Sequence, residues 1–182
     1  MNDTEQTIIR QTKSWVEEIV IGLNLCPFAA KPFHDESIEY TVVNGDSIEQ
    51  HLQQLADSFR LLDDSPNIET SLLIYPESYQ TFDDYLDWLD YANHLLDDLN
   101  YTGCYQIASF HPDYRFAGST KSDAGNFTNR SPWPMLHLIR EHSLAAAVKN
   151  YPNVEQIPKN NIKKLQEIGY AEMQKKLKII AS

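Results

Sequence analysis

The chain alternates between two hydrophobic periods. From Thr7 to Leu23 the apolar residues Ile8, Ile9, Trp15, Val16, Ile19, Val20 and Leu23 fall along one helical face, and Gly22, Asn24 and Pro27 stop that helix. Ile38, Tyr40 and Val42 then alternate with Glu39 and Thr41, the period of a half-buried strand, which ends in the turn residues Asn44-Gly45-Asp46. Asp46 with Glu49 gives a capping-box signal for a second helix through Ile48, Leu52, Leu55, Phe59 and Leu62. Ser71 to Tyr75 is a continuous apolar run, the pattern of a strand covered on both faces. A helix follows over Phe82 to Asn100, in which Trp88, Tyr91 and Leu95 widen the apolar side, and Cys104 to Phe110 reads as a third strand.

Strands separated by helices of crossover length predict an α/β fold with a small, mainly parallel sheet of about three strands, flanked by helices in one domain over residues 1–182. Ser131 as N-cap with Pro132 behind it predicts a further helix to about Asn150, and a last helix is expected from Asn160 to Ile180, with Ile162, Leu165, Ile168, Met173, Leu177 and Ile180 inward.

Charge narrows the partners. A net charge of -11 disfavours a broad phosphate-binding surface, so nucleic acid is not expected. From Lys149 onward seven lysines face three glutamates, leaving a basic tail on an acidic body. That tail and the Trp88/Tyr91 face are the docking surfaces if the protein is an interaction module with a protein partner. No apolar stretch approaches the roughly 20 residues that span a bilayer, and the N-terminus has no leader pattern, so a membrane is not expected. Two cysteines, Cys26 and Cys104, make no disulfide framework and fit free thiols in the cytoplasm.

The polar groups crowd into Phe110 to His142. In parallel sheets ligands bind outside the carboxyl ends of the strands, and the stretch after His111 falls there. His111 and Asp113 could serve as acid-base group and orienting carboxylate, or as two metal ligands. Arg115 and Arg130, with Asn129, Ser131 and the start of the predicted helix, compose an anion site for a carboxylate or phosphate. His137 and Arg140 lie further along that helix as secondary candidates. Cys26 is a third type of candidate, a nucleophile that would need a cationic neighbour to ionise at neutral pH, and otherwise a buried structural thiol. The glycines at 118 and 125 suggest a mobile lid. There is no GxxxxGK loop, no GxGxxG and no paired CxxC, so no particular cofactor is indicated.

Three long segments, GLNLCPFA (Gly22 to Ala29), SFHPDYRFAG (Ser109 to Gly118) and NRSPWPMLHLIRE (Asn129 to Glu141), give the chain a resemblance to a bacterial family catalogued as a domain of unknown function. The resemblance covers nearly the whole chain and implies no activity. The residues themselves lead to the expectation of a small anionic ligand at the strand-end rim, with hydrolase or transferase chemistry through His111 and Asp113 as one outcome. A noncatalytic interaction module and a Cys26 thiol enzyme are the alternatives.

Overall fold

A computed structural model describes residues 3–149 and 151–182. Helix α1 (Asp3–Trp15) continues into a π-helical turn (Val16–Ile21), followed by α2 (Ala30–His34), β1 (Ile38–Val42), α3 (Ile48–Asp64), β2 (Thr70–Ile74) and α4 (Phe82–Asp98). Next come β3 (Tyr105–Phe110), a 3-10 turn (Ala124–Thr128), β4 (Met135–Arg140), α5 (Glu141–Lys149), α6 (Ile157–Ile168) and α7 (Tyr170–Ile180). The cap of α3 is Ser47 with Gln50, one residue beyond the expected Asp46 and Glu49, and Thr81 caps α4.

The α/β class is present, but the sheet has four strands and is mixed, in the order β1-β2-β4-β3. β1 and β2 are parallel, while β4 runs antiparallel to both β2 and β3. The expectation of a mainly parallel sheet of about three strands is therefore corrected. Its error lies in Met135–Arg140, which was predicted as part of a helix from Ser131. β4 fills the slot between β2 and β3, where it satisfies the inward polar groups of both strands and is covered on both faces. Ser131 caps nothing; its hydroxyl donates to the Trp133 carbonyl. The Pro134 carbonyl already accepts from the Tyr75 N–H at 2.9 Å, so the two prolines lead into the sheet. The expected end of that helix, Asn150, lies outside the described residues.

Alternate side chains of the central strands supply two cores. Leu73, Leu136 and Leu138 meet Leu55, Phe59, Trp88 and Ala92 of α3 and α4. Leu72, Ile74 and Met135 meet Trp15, Val16 and Ile19, with Leu165 of α6 and Met173 of α7. Helices thus cover both faces. The last helix is two, broken at Gly169, whose φ of 87° is one that residues with side chains rarely adopt, and Ile162 is exposed rather than inward.

At the end of the first helix Gly22 donates to the Glu17 carbonyl, an i to i−5 bond, and a Cβ on it would lie 2.4 Å from the Glu18 carbonyl oxygen. The π turn therefore requires glycine there, which gives the GLNLCPFA segment a structural meaning.

Candidate functional site: a groove between α4 and the loop after β3

Because β4 is antiparallel to its two neighbours, β1, β2 and β3 point the same way and their carboxyl ends share one edge of the sheet. His111 leaves β3 at that edge and is fully buried. Its Nδ1 accepts from the Asp113 N–H at 2.9 Å, so Nε2 carries the proton and donates to the Tyr79 carbonyl at 3.0 Å. Burial between Phe82 and Tyr85 pushes the His111 pKa down, partly offset by the Tyr79 contact, so the ring is neutral at pH 7 with both nitrogens in use. Tyr79 sits at φ 57°, unusual for an aromatic residue. It is held from its other end by His51, whose Nδ1 lies 2.6 Å from the Tyr79 hydroxyl and whose Nε2 meets the Gly45 carbonyl. The two buried histidines thus pin one turn.

The stretch expected to be a lid is anchored from beneath. The Asn126 side chain accepts from the Phe116 N–H and the Ser119 hydroxyl and donates to the Thr120 carbonyl. Arg130, also buried, donates from Nε to the Tyr114 carbonyl and from Nη2 to the Lys121 carbonyl, and its guanidinium lies over the rings of Phe127 and Tyr170. Asn129 bridges the Ser109 carbonyl through Nδ2 and the His111 N–H through its own carbonyl. These bonds give the loop a fixed outer surface.

That surface forms one wall of an open groove of about 440 Å³, a volume adequate for a small ligand. Phe82 and Leu86 of α4 face Tyr114 and Phe116 across it, with Tyr114 in ring contact with both Phe82 and Phe116. Arg115 lies on the rim, exposed, and among the described residues no carboxylate or carbonyl engages its guanidinium. The neighbouring Lys121 is 3.7 Å from Asp113, an exposed pair at the surface.

A family model described as a protein of unknown function, DUF1415, matches residues 7–175. The chain belongs to the DUF1415 family. No curated protein and no solved structure matches it.

In this DUF1415 chain the other predicted residues lie apart from the groove. Ser131 is buried and bonded to the Trp133 carbonyl, and with no helix starting there it has no helix dipole to offer an anion. Arg140 spends its guanidinium on the Leu62, Ser65 and Ile68 carbonyls at the end of α3 and on the Tyr105 hydroxyl. His137 projects from β4 toward Thr70. The Thr70 hydroxyl donates to the Leu138 carbonyl, so His137 Nε2 donates to Thr70 Oγ1 at 2.6 Å, and burial lowers its pKa to about 4. Burial raises the Cys26 thiol pKa, against smaller opposing effects of the Phe28 and Ala29 backbone, so little thiolate forms at neutral pH. Among the described residues no three His, Cys, Asp or Glu side chains gather as metal ligands.

Of the residues singled out from the sequence, Arg115 lies at this groove; the opposite wall, Phe82 and Leu86, and both anchors, Asn126 and Tyr79, were not among them. Thr81 as a cap before Phe82 was a usable signal for where α4 begins at the rim. Nothing in the local pattern marks Asn126 as a buried pin.

Proposed function

We propose that the groove binds a small molecule with a carboxylate or phosphate on an apolar body, Arg115 taking the anion and Phe82, Leu86 and Phe116 the apolar part. The observation that carries this reading is an arginine with no protein partner among the described residues, set beside aromatic rings on a wall already immobilised by Arg130 and Asn126. A rigid wall lowers the ordering cost of binding. This reading gives His111 no part in bond cleavage, because both of its nitrogens are committed to the Asp113 N–H and the Tyr79 carbonyl.

A thermal-shift panel of aromatic carboxylates and phosphate monoesters tests it. A ligand at a hundred times its Kd stabilises by about 2.7 kcal/mol. Arg115→Ala should remove the shift while leaving the unliganded melting point in place; a shift retained in that variant would move the ligand elsewhere.

A second reading is favoured by one observation. Leu86 and Phe116 at the groove and Tyr91 further along α4 are 41%, 37% and 53% exposed, large apolar side chains left in solvent as on a protein-docking face. Trp88, by contrast, is core. A null result across the small-molecule panel together with capture of a protein partner lost on Tyr91→Ala would select that reading.

A further inference from the structure

The groove has a second charge that anion binding leaves unused. Asp83, in the first turn of α4, lines the same groove as Arg115. Among the described residues neither Arg115 nor Asp83 takes part in an ion pair, with each other or with anything else. The adjacent cation, Lys121, is already opposite Asp113. The groove therefore presents one unpaired positive and one unpaired negative group beside the rings of Phe82 and Phe116.

A simple anion meeting Arg115 leaves Asp83 as a repulsive neighbour, and a simple cation meeting Asp83 leaves Arg115 so. A molecule carrying both charges satisfies both. Long-range electrostatics act in the same direction, since a chain of net charge -11 repels anions on approach and leaves a neutral zwitterion unaffected.

Resting on the reading of the groove as the ligand site, we propose that its ligand is a zwitterion, an α-amino acid with a large apolar or aromatic side chain. The carboxylate meets Arg115, the ammonium meets Asp83, and the side chain lies against Phe82, Leu86 and Phe116.

The test is an amide-detected NMR titration of the full chain with three probes: L-phenylalanine, N-acetyl-L-phenylalanine, which lacks the ammonium, and L-phenylalanine amide, which lacks the carboxylate. L-phenylalanine should bind about 1.4-fold to fivefold tighter than either, the factor that one exposed ion pair contributes. Asp83→Asn should erase the discrimination between L-phenylalanine and its acetylated form, and Arg115→Ala that between L-phenylalanine and its amide. Equal affinities of L-phenylalanine and N-acetyl-L-phenylalanine for the native protein would overturn the zwitterion and leave the anion reading standing. So would undiminished discrimination in Asp83→Asn. Failure of all three probes to move the amides of Leu86, Phe116 and Gly118 would overturn the zwitterion, and failure of phenyl phosphate to move them as well would overturn the anion reading.

Discussion

Arg130→Met separates a structural arginine from a ligand-holding one. The native guanidinium is buried, bonded to the carbonyls of Tyr114 and Lys121, and stacked against Phe127 and Tyr170. Methionine leaves two acceptors without their donors, at about 1–2 kcal/mol each, and forfeits a desolvated cation–π contact worth about 1–2 kcal/mol. Relief of the buried charge and the apolar packing of methionine return part of this. The expected net loss is about 3 kcal/mol. With a urea m-value of about 2 kcal/mol/M the midpoint should fall by about 1.5 M, and the melting temperature by about 6–12 °C. Equilibrium urea unfolding followed by circular dichroism measures it, and hydrogen exchange at residues 114–121 shows whether the loop is what loosens. Arg130→Lys should recover only part of the loss, because an ammonium cannot reproduce the two-directional fork. A loss under about 1 kcal/mol in the methionine variant, with ligand binding abolished, would refute the structural assignment and return Arg130 to the anion site.

Acid stability should carry the signature of His137. Its folded pKa of about 4 lies below the unfolded value near 6.5, so the contribution is complete above pH 6.5 and is lost as pH falls toward 4. The loss amounts to about 2–3 kcal/mol, given that the ring is not wholly sealed from solvent, and His137→Gln should flatten the acid limb of a stability-versus-pH curve; an unchanged limb would reject it. His111 shifts in the same direction and adds to the same limb. Gly22→Ala should cost about 1–3 kcal/mol in a urea titration, because the Glu18 carbonyl that the methyl meets belongs to the backbone and cannot swing away. An alanine variant as stable as the native chain would mean that the π turn relaxes without cost.

The local pattern determined what depends on neighbours along the chain. The strands at Ile38, Ser71 and Cys104 and the helices that follow the first two were legible because their period is set by burial of one face or both. The rim was legible for the same reason: three strands pointing one way put His111 and Arg115 at a shared edge whichever strand lies between. Tertiary structure alone decided the slot between β2 and β3. Ser131-Pro132 is a sound helix start in isolation, but two strand edges with unpaired polar groups stabilise Met135–Arg140 more as β4 than a surface helix could. That decision removed the helix dipole from the predicted anion site. It also turned His137 toward Thr70 and carried Arg140 to the end of α3. The division between Arg130 and Arg115 could not be read either. Arg115 stands between Tyr114 and Phe116 and Arg130 between Asn129 and Ser131, a local pattern opposite to the outcome, and the packing of Phe127 and Tyr170 is what places Arg130 in the core while Arg115 faces the groove.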